Sequence, residues 1–220
     1  MKKAAIYLSL TLISVVMLYP LLWLIGASFK TNSEIFSTIW FMPESFDFSV
    51  YKSAWRTVTP YSMGHYFLNT FMIIVPKTVF AVFSSVLVAY GFARFDFPMK
   101  KPLFAALMLS MLMPSIVSVM PLYQLWSKLD LLDTYIPLTL PSLFACEGMF
   151  VFILIQFFKS VPKELDEAAR IDGCGTLRTL IHILVPCIRP AIVSITVFTF
   201  LWTMNDFLMP LIMIQSVQKY

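Results

Sequence analysis

The sequence predicts an all-α protein that crosses a membrane several times, and three observations support this. Of its 220 residues, 59% are hydrophobic and 13% charged, against about 25% charge in an ordinary soluble domain. Mean hydropathy is +0.81. The apolar residues gather into five windows with at most one charge each, and a helix needs about 20 such residues to cross a bilayer core.

The first window, "AAIYLSLTLISVVMLYPLLWLIGASF", lies between Lys3 and Lys30. It exceeds the apolar core of a signal peptide, typically about 7 to 15 residues, so it reads as an uncleaved span. The connection from Lys30 to Tyr66 is the longest, and its "FMPESFDFSVYKSAW" mixes aromatics with turn formers, as an ordered outer cap would. The remaining spans are expected at Phe67 to Phe92, Leu103 to Trp126, Ile136 to Phe158 and Ala191 to Met213. Pro76, Pro114 and Pro121 fall inside spans, where they are expected to kink the helices without ending them.

Cytoplasmic loops are enriched in Lys and Arg. With the N-terminus inside, the inner segments hold Lys2, Lys3, Arg94, Lys100, Lys101, Lys159, Lys163, Arg170, Arg178 and Arg189, against Lys30, Lys52, Arg56, Lys128 and Lys219 outside. The bias sets the N-terminus in the cytoplasm and, after five spans, the C-terminus outside. Without internal repeats or low-complexity tracts, residues 1–220 read as a single transmembrane domain.

No HExxH, GxSxG or GxxxxGK motif is present, which argues against a hydrolase or nucleotide-binding enzyme and leaves no catalytic residue or cofactor to assign. Cys146, Cys174 and Cys187 lack metal-ligand spacing. Without a polybasic run, nucleic acid is not an expected partner; membrane lipid is.

The segment "ELDEAARIDGCGTLRTLIHILVPCIRP", Glu164 to Pro190, is too charged to be a span. Acidic Glu164, Asp166 and Glu167 follow Pro162, as at a helix start, and Gly173 is placed to end that helix in the left-handed conformation. A second helix is expected from Thr176 as N-cap, with Leu177, Leu180, Ile181 and Leu184 on one face. Pro186 and Pro190 mark the return to the membrane. The second helix alone could lie on lipid. The first has few and mostly small apolar residues, Leu165, Ala168 and Ala169, which suit docking against another protein.

Glu167, Ala168, Ala169, then Gly173, then Ile183 and Pro186 stand at the spacing of the EAA loop, and the chain resembles ABC-importer inner-membrane permeases. The one departure is Val185, where the pattern has Leu. "YFLNTF", "AYGFARFDFP", "MLMPSIVSVMPLY" and "WTMNDFLMPLI" are similar to the carbohydrate-uptake subgroup, so the resemblance covers nearly the whole chain. It implies a coupling loop at about 160–190 that docks on an ATPase through Glu167, Ala168, Ala169, Asp172, Gly173, Ile183 and Pro186. It also implies ABC ATPase subunits, a second permease subunit, an extracellular solute-binding protein and a carbohydrate substrate, in a bacterial or archaeal cell membrane. Such permeases usually have six spans, so a chain with five is expected to be truncated before the last. The alternatives are a permease of the same architecture for glycerol phosphate or an amino acid, and a scaffold that transports nothing.

Two charges fall within expected spans. A Lys at a helix centre costs about 2.5 to 3.5 kcal/mol on insertion scales, so Lys77 and Glu147 are expected to face the bundle interior, paired or along the solute path. Asn205 and Asp206, near Trp202, form a further solute-contact or interfacial-anchor candidate.

Overall fold

The computed structural model describes residues 2–57 and 60–220. Packing divides the chain into two compact units, Met1–Gly64 and His65–Tyr220. Among the described residues there is no strand, and the chain is all-α as expected. Also among the described residues, three helical stretches, Ile6–Ala27, Met63–Arg94 and Ile136–Ser160, are long and apolar enough to cross a membrane, or up to five if each of two bent pairs counts as one span.

The first unit contains α1 (Lys2–Ala27), α2 (Asn32–Ser37) and α3 (Ser49–Thr57). The Lys30–Tyr66 connection is ordered. Phe29 meets Phe46, Phe48 and Tyr51 edge-on at 5.2 to 5.4 Å, and the buried Lys30 ammonium donates to the Trp40 carbonyl. A Cβ on Gly26 would lie 1.7 Å from the Phe41 carbonyl oxygen, so only glycine allows that backbone approach.

The second unit begins within α4 (Met63–Arg94), which is unbroken, with Pro76 inside it. Its small buried residues Ala81, Ser85 and Ala89 let neighbouring backbones approach closely. The third expected span divides into α5 (Lys100–Leu112) and α6 (Ser115–Lys128), bent by 103°. Pro114 therefore breaks the helix rather than kinking it. A residue before proline is pushed out of the helical region, and Met113 has ψ 124°. Pro121 stays within α6.

The fourth expected span is also interrupted. It comprises α7 (Ile136–Thr139), a 3-10 turn over Leu140–Phe144, left-handed Ala145 and then α8 (Gly148–Ser160). Glu147 thus sits at the N-cap of α8 and not in mid-helix. Negative charge is favoured at that end, so Glu147 needs no distant lysine. Next come α9 (Glu164–Ile171), α10 (Thr176–Thr179), a π turn over Leu180–Leu184, α11 (Val185–Cys187) and α12 (Arg189–Met204). The chain bends by 82° between Thr176–Cys187 and Arg189–Met204. The fifth expected span also divides, because α12 ends at Met204 and α13 (Leu208–Met213) begins after three intervening residues.

The larger core is built on α8. Phe150, Val151, Leu154, Ile155 and Phe158 pack with Val86, Ala89 and Tyr90 of α4 and with Leu180, Leu184, Ile188, Ala191 and Ile195. A smaller cluster joins Trp126, Leu138, Met213 and Ile214.

Candidate functional site

Two sites emerge in the second unit, both anchored on α4. The first is the charged segment. Its helix α9 has Glu164, Asp166 and Glu167 in its first turn and Arg170 in its last, complementing the helix dipole at both ends. Gly173 has φ +77°. Its N–H bonds to the Arg170 carbonyl at 3.1 Å, and the Cys174 N–H reaches back to the Ala169 carbonyl at 2.8 Å. This is a Schellman closure with glycine at its left-handed position.

The closure sorts the two alanines. Ala169 is 2% exposed and packs inward, while Glu167, Ala168 and Asp172 face outward and Ile171 is 86% exposed. Sequence reasoning passed over Ile171, whose position at the helix end, next to the glycine turn, was the available signal. Gly175 caps α10, so Thr176 is the first helical residue and not the N-cap. Of the expected stripe, Leu180 and Leu184 enter the protein core, whereas Leu177 and Ile181 remain exposed. Ile183 is half-buried and Pro186 exposed.

The C-terminal end of α4 grips this segment. Arg94 Nε lies 3.0 Å from Asp166 Oδ2, its Nη2 donates to the Val161 carbonyl at 2.9 Å, and Tyr90 Oη donates to the Thr176 carbonyl at 3.3 Å. Sequence reasoning counted Arg94 only as a loop charge.

The second site is a cavity of about 190 Å³ bordered by Thr70, Ile73 and Lys77, which lie on one face of α4, and by Thr203, Asp206, Phe207 and Lys219. Lys77, expected to pair with Glu147 or to border the solute path, lies on this border 3.9 Å from Asp206 Oδ2 and not beside Glu147. The break between α12 and α13 brings Asp206 there, and its other oxygen accepts the Met209 N–H at 3.2 Å. Asn205 is exposed and donates to the Leu201 carbonyl at 2.7 Å, capping α12. Thr203 is 8% exposed, and its buried hydroxyl has no hydrogen-bond partner. Trp202 stacks on Phe150 at 5.2 Å. Among the described residues no three of His, Cys, Asp and Glu come together to hold a metal ion.

Lys219 is balanced too, 3.1 Å from Asp133 Oδ2. Asp133 also accepts the Gln215 N–H at 3.0 Å and the Ser216 N–H at 2.8 Å, with the Ser216 hydroxyl at 2.5 Å. The Ser216 hydroxyl, then the Ser216 and Gln215 amides and Lys219, hold its carboxyl well below the ordinary 3.8. A lowered folded pKa means the latch is fully present above that ordinary value and is lost only as pH falls through the lower one. Hydrogen exchange at the Gln215 and Ser216 amides is therefore expected to stay slow at pH 4 relative to the intrinsic rate. In Asp133→Asn these amides are expected to exchange faster at pH 7.

A family model described as "Binding-protein-dependent transport system inner membrane component" matches residues 81–218. A diacetylchitobiose uptake system permease protein of Streptomyces coelicolor is 31% identical over 211 residues, covering 96% of this chain and 69% of that protein. An sn-glycerol-3-phosphate transport system permease protein of Pectobacterium atrosepticum is 30% identical over 205 residues, covering 90% and 72%. A solved bacterial ABC transporter involved in import of the acidic polysaccharide alginate superposes with a TM-score of 0.78 over 99% of this chain and 75% of that one, at 21% identity.

Proposed function

Because the chain belongs to the family of binding-protein-dependent transport system inner membrane components, we propose that it carries a neutral carbohydrate across the membrane, driven by a separate ATPase docked on residues 160–190. The chain is a permease subunit of an ABC importer, a multi-pass protein of the cell membrane. ATP hydrolysis belongs to the partner ATPase. A second permease subunit completes the path, and an extracellular solute-binding protein delivers the substrate. Residues 1–220 act as one permease domain, with the N-terminus and the coupling loop on the cytoplasmic side.

The observation that carries the substrate class is the charge balance of the cavity. Both lysines on its border face a carboxylate, Lys77 with Asp206 and Lys219 with Asp133. A site for a phosphate ester would leave cations free to meet the anion. The hydroxyls on its border are neutral: Thr203 has no partner, and Thr70 donates to the Tyr66 carbonyl at 2.9 Å while its oxygen can still accept. Hydroxyl-rich, uncharged solutes suit such a lining. Of the two relatives, one is named for an uncharged disaccharide derivative and the other for a phosphate ester; the charge balance favours the first kind.

The docking role is supported by the Schellman-closed turn and the outward Glu167, Ala168 and Ile171. The test is reconstitution of the whole transporter in proteoliposomes with its solute-binding protein and a panel of neutral oligosaccharides, glycerol phosphate and amino acids. Uptake of a neutral oligosaccharide with exclusion of glycerol phosphate is expected. Preferential uptake of glycerol phosphate or an amino acid would overturn the substrate class, and no uptake of any solute would favour a scaffold.

A further inference from the structure

We infer that Arg94 is a positioning residue that ties α4 to the ATPase-docking segment, so that α4 moves with that segment as one stiff lever reaching the solute cavity. The inference rests on the docking role proposed above.

The attachment is two-sided. Arg94 holds the entry to α9 through Asp166 and the Val161 carbonyl, and Tyr90, one turn earlier on the same face of α4, holds Thr176 beyond the glycine turn. Both ends of the docking elbow are therefore bonded to a single helix. The Tyr90 ring is itself wedged against Phe95 at 5.2 Å and Phe158 at 5.7 Å. The Arg94 side chain is only 6% exposed, and a guanidinium so enclosed is costly without its carboxylate. The pair therefore resists separation when the docking segment is displaced.

Two routes lead from the docking segment toward the cavity. One follows the chain into α12, through the π turn at Leu180–Leu184 and the 82° bend before Arg189. Breaks in the regular hydrogen-bond ladder are places where a helix bends. The other crosses from Asp166 to Arg94 and then follows α4, which runs unbroken back to Lys77, roughly 25 Å at the helical rise. The continuous helix transmits displacement, whereas the bent route absorbs it. Arg94 is the joint at which the stiff route begins.

The experiment uses the complete transporter with its ATPase subunits, solute-binding protein and solute, and reads three quantities: ATPase co-purification, ATP hydrolysis, and solute moved per ATP. Arg94→Gln and Asp166→Asn are expected to keep the first two and to lose about tenfold in the third, within the range of an allosteric coupling energy. The exchanged pair, Arg94→Asp with Asp166→Arg, is expected to recover most of that loss, because the interaction and not either residue alone is needed. Wild-type solute per ATP in Arg94→Gln would overturn the inference, as would an exchanged pair no better than the single variants. Loss of co-purification together with transport would assign the pair to folding, which also overturns it. Gly173→Val in the same assay separates the two layers. If it transports normally, the docking role fails; if it uncouples while Arg94→Gln does not, only the lever fails.

Discussion

Uptake is expected to collapse in Gly173→Val while membrane insertion and ATP hydrolysis by the partner persist. Nothing lies within 4 Å of a Cβ built on Gly173, so the penalty is not a collision. It is conformational: φ of +77° costs an L-residue about 1–2 kcal/mol, and a β-branched residue is an outlier there. Such a cost shifts the population of the glycine turn by a factor of about 5–30. The two bonds that close the turn, Gly173 to Arg170 and Cys174 to Ala169, loosen together. Residue chemistry predicts a graded series. Asn, which tolerates the left-handed region, should retain most uptake, Ala less and Val least. Uptake of labelled solute per ATP hydrolysed is the measurement, with immunoblotting for membrane level. A series ordered by side-chain volume, with Asn worse than Ala, would point to a steric role and count against the backbone explanation.

The second large effect is expected at the cavity. Lys77→Gln leaves Asp206 without its cation, and uptake of the neutral solute should fall by about tenfold, because an enclosed charge suffers more than an exposed one on losing its partner. The pair is partly wet, with side-chain exposures of 21% and 24% and a separation of 3.9 Å, so the loss should be smaller than for a fully buried pair. Asp206→Asn isolates charge from shape, because the Asn oxygen can still accept the Met209 N–H. It leaves Lys77 uncompensated, and titration calorimetry on the purified complex should then show tighter binding of glycerol phosphate than in the wild type. Combining Lys77→Gln with Asp206→Asn restores neutrality and should recover uptake. If all three variants are instead lost from the membrane in proportion to uptake, the pair is structural.

Much of this was legible in the chain. The charged segment is a local device: acidic residues after Pro162 start a helix and Gly173 stops it, and each of these effects operates within a few residues. The structure reproduces α9 and its left-handed stop where the sequence placed them. Helix continuity was less legible. Pro76 and Pro121 stayed within helices while Pro114 ended one, and the fourth and fifth windows broke at Ala145 and Asn205. All are apolar windows of similar length, and hydropathy does not register where neighbouring helices supply partners for freed backbone groups.

The sequence by itself determined the class, the number of apolar windows and the helix stopped by Gly173, because composition, period and turn chemistry are properties of short stretches. Only the tertiary structure decided that Lys77 meets Asp206 and not Glu147, and that Arg94 grips Asp166. It also decided that Ala168 faces out while Ala169 faces in. Those outcomes depend on which helices lie side by side and where each one breaks. Residues 129 positions apart become neighbours only when α4 and the break after α12 are brought together, and no local signal encodes that distance.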